Sequence, residues 1–329
     1  MGENGAGTAG DRPAPLGVLF VNLGSPAAPT SSAVRAFLEE FLSDPLVVDV
    51  PRWRWWLIRR LFVLPFRADA SAALYRSIWT SAGSPLVVNS RRFADALARE
   101  LGPGFRVALA MRYGAPGIEQ AVSELERAGC ERVLLFTAFP QASRTTTGTV
   151  LRRTQQALGR ANKGPRLEVV DPYFADAGFV AALAARASEA LERGPVDHHV
   201  FSFHGLPVRY VTEGDPYREH CEGTARALAA ALGLAEGQWT LVYQSRFGRE
   251  PWLEPEAARA VPALAARFRR VQITAPSFTC DCLETLEELG IRLREAFLAA
   301  GGEELRVVSC LNEHASWVRA AARLVRARL

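Results

Sequence analysis

The sequence predicts an α/β protein of two doubly wound halves, each built on four parallel strands, and three observations carry that expectation. Eight short β-branched runs recur along the 329 residues, with amphipathic helical patterns between them. The runs are almost continuously apolar instead of alternating, which is how strands covered on both faces read. The chain is also longer than a single core usually supports, so two domains of about 150 residues each are expected.

In order, the strands are GVLFVN (17–22), RVALAM (106–111), RVLLFT (132–137) and LEVV (167–170), then HVFSF (199–203), WTLVY (239–243), VQITA (271–275) and LRVVS (305–309). In SSAVRAFLEEFL, Val34, Phe37, Leu38, Phe41 and Leu42 fall on one helical face, with Thr30, Ser31 or Ser32 available as N-cap. Comparable helical patterns cover 85–101, 116–128, 175–193, 253–268, 283–299 and 314–328. The expected organisation is a disordered lead-in over 1–14, a first domain over 15–160, a second over 161–310, and a final helix over 311–329 that is open to packing back on the first.

Composition narrows the class. A balance of 39 Lys+Arg against 35 Asp+Glu is too even to imply a nucleic-acid partner. The Gly- and Ala-rich MGENGAGTAGDRPA lacks the apolar core of a signal peptide, so the chain is expected in the cytoplasm. No stretch has the roughly 18 apolar residues of a spanning helix. PRWRWWLIRRLFVLPFR (51–67) is interrupted by Arg52, Arg54, Arg59 and Arg60, which forbids crossing a bilayer but not touching one. The cysteines, Cys130, Cys221, Cys280, Cys282 and Cys310, are odd in number and scattered, which suits reduced thiols.

Ligands of open parallel sheets bind beyond the carboxyl ends of the strands, so the residues there are the candidates for chemistry. His204 follows HVFSF, and VQITA is followed by SFTCDCLETLEELG with Asp281, Glu284, Glu287 and Glu288. On a helix, Asp281, Glu284 and Glu288 line one face with Glu287 beside them. Helix-dipole capping explains one or two acids, not four. A carboxylate row opposite a histidine suits a divalent metal held weakly enough to be passed on, and equally a proton relay. NLGSP has a single glycine, so a dinucleotide site is unsupported, and the spacing of Cys280 and Cys282 is too short for a zinc knuckle.

SFHGLPVRYVTEGDPY, YQSRFGREPWL, FTCDCLETLEELG and CLN, in that order and spacing, resemble the ferrochelatases, as do NLGSP, EFLSDPLVV, YRSIWTSAGSPL, MRYGAP and PQASRTTTG in the first half. The resemblance covers residues 16 to about 318. It implies two Rossmann-like domains with the active site in the cleft between them, and insertion of Fe(II) into protoporphyrin IX with release of two protons. It places the family's histidine on His204 and its metal-site glutamate on Glu284, with Asp281 and Glu288 in the acidic row. Arg67, Tyr75, Ser84, Arg112, Tyr113, Trp252 and Phe278 match positions that line the porphyrin pocket. Ala142 stands where the family commonly has tyrosine, and Cys282 replaces a histidine of other branches.

No cofactor is required by this reading, Fe(II) being a substrate. The ending LVRARL lacks the cysteines with which some relatives hold an iron–sulfur cluster, so none is expected. The segment after EFLSDP forms the lip of the family's porphyrin cleft, which implies that Trp53, Trp55, Trp56 and Leu57 meet a membrane surface beside snorkelling arginines. Coproporphyrin as substrate, a cobalt chelatase of the same fold, and a non-catalytic two-lobed tetrapyrrole- or metal-binding protein are the alternatives. The cobalt enzyme usually relies on histidine pairs, whereas His204 alone is well placed here.

Overall fold

The structure, a computed structural model, describes residues 14–49, 56, 64–159, 164–248 and 250–328, the side chains of 64–66 excepted. The first sheet has strands β1 (Leu16–Gly24), β2 (Phe105–Tyr113), β3 (Arg132–Thr137) and β4 (Arg166–Val169) in the order β2-β1-β3-β4. The second repeats this as β6-β5-β7-β8 with β5 (His198–His204), β6 (Trp239–Gln244), β7 (Arg270–Thr274) and β8 (Glu304–Val307). All pairings are parallel. In each sheet the chain leaves the first strand to one side and returns to the other, which opens a crevice at the carboxyl ends of β1/β3 and β5/β7. β4 is the fourth strand of the first sheet, so that sheet extends past the expected division at 160/161.

The helices are α1 (Ser31–Phe41), α2 (Leu64–Ile78), α3 (Pro85–Leu101), α4 (Ile118–Arg127), α5 (Thr149–Leu158) and α6 (Ala177–Leu191) in the first stretch of chain. There follow α7 (Val208–Thr212), α8 (Tyr217–Ala231), α9 (Ala257–Leu264), α10 (Arg294–Ala299) and α11 (Ala315–Arg326). Thr30 caps α1, its hydroxyl accepting from the Ala33 amide at 3.4 Å. Sequence periodicity did not predict α2, α5, α7 or α8. α8 carries Gly223 mid-helix, where a side chain would meet the Phe174 ring at 2.8 Å, and α5 continues a π-helical turn over Arg144–Gly148.

Alternation along β1 sends Val18 and Phe20 to one face of the sheet and Leu19 and Val21 to the other. The first face joins Phe201 and Phe203 of β5 in one continuous core between the sheets. Trp317 of α11 lies at its centre, 1% exposed, stacked on Phe93 of α3 at 5.6 Å and on Tyr173 at 5.5 Å, and edge-on to Phe179 of α6. The final helix therefore touches elements of both halves. Burying such an aromatic cluster is what fixes the two sheets relative to each other.

At the opposite end of β5, His198 stacks on Phe268 at 4.3 Å, and its Nε2 is 2.8 Å from the Thr240 hydroxyl. Burial, then the neighbouring charges of His199 and Arg267, depress its imidazole from 6.5 to about 4. His199 is shifted down by burial in the same direction. The unfolded chain takes up the His198 proton near 6.5 and the folded chain only near 4, so stability present above 6.5 is lost as pH falls through that window. The loss from His198 is about 2 kcal/mol by pH 5. His198→Gln, which keeps a partner for Thr240, is expected to flatten the fall in urea midpoint between pH 7.5 and 5; an unchanged slope would remove His198 as its source.

Candidate active site

β5 is a central strand and delivers His204 to the crevice between β5 and β7. The His204 amide donates to the Ser277 hydroxyl at 3.2 Å, which ties the strand end to the turn after β7. Its Nδ1 lies 2.7 Å from the Gly205 carbonyl oxygen. A carbonyl only accepts, so Nδ1 carries a proton, and in the neutral ring Nε2 keeps its lone pair. The ring lies beside Phe278, centroids 6.3 Å apart. Gly205 must be glycine: a Cβ there would stand 2.8 Å from the Gln244 carbonyl oxygen and 3.0 Å from the Trp252 ring.

The acidic segment is a π-helix over Glu284–Leu293, continued by α10. π-Helical turns are rare and concentrate at functional sites. The wider turn pairs residues five apart, and Glu287 accepts from Arg292 Nε at 2.7 and 2.8 Å while buried to 3% exposure. Glu287 is thus neutralised within the helix and is no part of an open acidic row.

Glu288 is held by three donors. Oε1 accepts from the Ser245 amide at 2.8 Å, and Oε2 accepts from the Ser245 hydroxyl at 2.6 Å and from Gln244 Nε2 at 3.3 Å. Ser245 takes φ = 64° to present both groups, an uncommon conformation for a residue with a side chain. Gln244, at the end of β6 and 1% exposed, also donates to the Glu284 carbonyl at 2.9 Å and accepts from Ser202 of β5 at 2.8 Å.

The Glu284 side chain lies close enough to Cys282 and Tyr75 to shift both. Burial, then the Glu284 charge, pushes the Cys282 thiol far up, and the Tyr75 phenol is pushed up by burial, then Glu284, then Cys282. Both stay protonated at neutral pH and can stabilise a carboxylate between them. Tyr75 belongs to α2 of the first half, so the site draws on both halves.

Asp281 is turned inward. Its Oδ2 accepts from Asn312 Nδ2 at 2.7 Å, and its Oδ1 accepts from the Cys310 amide and the Thr285 hydroxyl, both at 3.1 Å. The expected line of Asp281, Glu284 and Glu288 is accordingly not one open face, because the first and last carboxylates are engaged by protein donors. Among the described residues, no three His, Cys, Asp or Glu side chains are gathered as a metal cage.

The other expected residues have surroundings of their own. The Arg67 guanidinium lies 4.0 Å above the Phe247 ring, in the loop after β6. Ser84 is buried at the N-cap of α3. Arg112 is ion-paired with buried Asp44, whose same oxygen accepts from the Tyr113 hydroxyl at 3.0 Å. Trp252, its indole nitrogen buried without a partner, lines a cavity of about 540 Å³ with Val208, Val211, Thr212, Arg218 and Arg246. Trp56 is half-exposed; Trp53, Trp55 and Leu57 lie outside the described residues. The five thiols are buried and unlinked. Gln244, Ser245 and Asn312 were not singled out by sequence reasoning, although the strand-end rule that found His204 points equally to Gln244.

The pattern of the ferrochelatase family matches residues 15–329. The chain is 46% identical over 320 residues to the ferrochelatase of Nitrosococcus oceani, covering 96% of this chain and 87% of that one. It is 44% identical over 299 residues to that of Edwardsiella ictaluri, covering 90% and 93%. Its fold resembles the solved structure of SirB from Bacillus subtilis with Fe3+, at TM-score 0.56 and 12% identity over 95% of this chain and 94% of the other. With a family match running to its last residue and relatives this similar over nearly all of its length, the chain belongs to the ferrochelatase family.

Proposed function

We propose that this ferrochelatase inserts Fe(II) into protoporphyrin IX and releases two protons. The observation that carries this reading is His204, whose Nε2 lone pair is left available at a strand end that Gln244 ties to Glu284. Metallation requires a base for two pyrrole protons, a route for partly dehydrated iron, and walls that hold the macrocycle bent. His204 Nε2, which the Nδ1 contact with the Gly205 carbonyl leaves as the acceptor of the neutral ring, takes a pyrrole proton. Glu284, flanked by the protonated Tyr75 and Cys282, ligates the incoming iron or takes the second proton. Phe278 and Trp252 are the apolar walls, with binding energy from the rest of the ring spent on distortion at the nitrogens. Arg67, Tyr75, Ser84, Arg112 and Tyr113 complete the pocket in this reading. Glu288, tied by Ser245 and Gln244, holds the turn behind Glu284 in place and is no ligand of the iron in this reading.

His204→Ala and Glu284→Gln are each expected to abolish metallation, followed by visible absorbance, while porphyrin affinity stays within about tenfold, because both act on protons and metal and not on ring burial. Near-normal turnover in either would remove its role. Parallel assays with coproporphyrin, and with Co(II) in place of Fe(II), separate the substrate alternatives: faster turnover of either would displace protoporphyrin and iron from this reading.

Gln244→Leu leaves the Glu284 carbonyl and Glu288 without their amide donor, which costs on the order of 1–3 kcal/mol of stability. Turnover is expected to fall at least about tenfold in enzyme that is still folded at the assay temperature. Unchanged turnover in the folded variant would reduce Gln244 to a packing residue.

No described helix is long and apolar enough to cross a membrane. We infer that residues 53–57 instead seat in an anionic headgroup layer and pass poorly soluble porphyrin into the cleft, with the half-exposed Trp56 in support. Trp55→Glu combined with Leu57→Glu is expected to weaken vesicle binding at least about tenfold, about 1.4 kcal/mol, with detergent-dispersed porphyrin still metallated. Unaltered vesicle binding would eliminate the membrane role.

A further inference from the structure

We propose that Asp281 and Asn312 form a reciprocal pair that positions the catalytic helix, and that Asp281 is a positioning residue and not an iron ligand. The inference rests on the reading of Glu284 as catalytic. The pair closes on itself: the Asp281 amide donates to Asn312 Oδ1 at 2.9 Å, and Asn312 Nδ2 donates back to Asp281 Oδ2 at 2.7 Å. The other carboxylate oxygen takes the Cys310 amide and the Thr285 hydroxyl. Thr285 in turn accepts from the Cys282 amide at 3.0 Å, so the chain from Cys282 to Thr285, where the π-helix begins, is fastened to the segment after β8.

The same group reaches the first half. The Asn312 amide donates to the Thr279 carbonyl at 2.8 Å, and the Thr279 hydroxyl donates to the Ala138 carbonyl, just beyond β3, at 3.1 Å. Ala138 is itself paired to Val21 of β1 at 2.8 Å. A continuous, largely buried chain of hydrogen bonds therefore runs from the first sheet through Thr279 and the half-buried Asn312 to Asp281 and the turn that carries Glu284. Asn312 adopts φ = 45°, a left-handed conformation that asparagine tolerates better than most residues. The position thus asks for a side chain that both accepts and donates and that also permits this backbone.

An aspartate only accepts, whereas an asparagine side chain accepts at its oxygen and donates at its NH2. In Asp281→Asn, the new carboxamide oxygen can still take Cys310 and Thr285, but its NH2 then faces the NH2 of Asn312. Flipping Asn312 relieves that clash only by aiming its NH2 at the amide of residue 281. No orientation satisfies every group. In the exchange Asp281→Asn with Asn312→Asp, each donor again meets an acceptor: residue 281 accepts from Cys310 and Thr285, and residue 312 accepts from both the side chain and the amide of residue 281. The exchange moves the charge to the other partner and so removes it from where a metal ligand would need it.

The experiment measures kcat and the KM values for Fe(II) and porphyrin in wild type, Asp281→Asn and the exchange, each checked by thermal unfolding. Asp281→Asn is expected to lose at least about tenfold in kcat with the porphyrin KM within about threefold, and the exchange to recover kcat to within about threefold of wild type. Recovery of fold without recovery of kcat, a raised Fe(II) KM that persists in the exchange, or an unfolded exchange variant would each overturn the proposal. If the single variant does not fold, the exchange alone decides by the same criteria. Failure of the underlying reading is seen separately, as retained turnover in Glu284→Gln.

Discussion

The primary amide of Gln244 meets a requirement that parallel sheets leave open at their carboxyl ends, where the last carbonyls and the first turn of the next helix need partners. Its oxygen takes Ser202 of the neighbouring strand, and its NH2 takes the Glu284 carbonyl and the Glu288 carboxylate. Its own carbonyl receives the Gly205 amide, next to His204. One buried residue thereby joins the strand that ends in the histidine to the helix that begins with the glutamate. A side chain unable to donate and accept at once would leave several buried groups unsatisfied.

Around that joint the acids are sorted by their donors. Glu287 is spent on Arg292, Asp281 on Asn312, Thr285 and Cys310, and Glu288 on Ser245 and Gln244. Glu284 differs in kind: the groups beside it, Tyr75 and Cys282, are driven far up by burial and by its charge. Asp281 and Glu288 direct their oxygens at fixed neutral donors, whereas Glu284 faces protonated, uncharged neighbours.

Much of this was legible in the sequence because it depends on local pattern. Near-continuous runs such as GVLFVN and HVFSF announce strands buried on both faces, and the eight strands lie within a few residues of their expected bounds. His204 was found by the general rule for strand ends. What was not legible rests on partners distant in the chain or on subtle helical geometry. Nothing near Asp281 reveals that its carboxylate is taken by a residue 31 positions away. Nothing in ETLEELGIRL separates a π-helix from an α-helix, and with it the burial of Glu287 against Arg292 was hidden. The place of Trp317 between the two sheets likewise depends on Phe93 and Tyr173, far from it in sequence.

In the proposed reading His204 and Glu284, and not the wider acidic row, meet the metal. Anomalous diffraction from crystals soaked with Zn(II) or Co(II), without porphyrin, tests it most directly. A metal is expected at a coordination distance of about 2.0–2.1 Å from His204 Nε2 or at the Glu284 carboxylate, with the Asp281–Asn312 bonds unbroken. A metal seated on Asp281 with Asn312 displaced, or bound away from both His204 and Glu284, would contradict it.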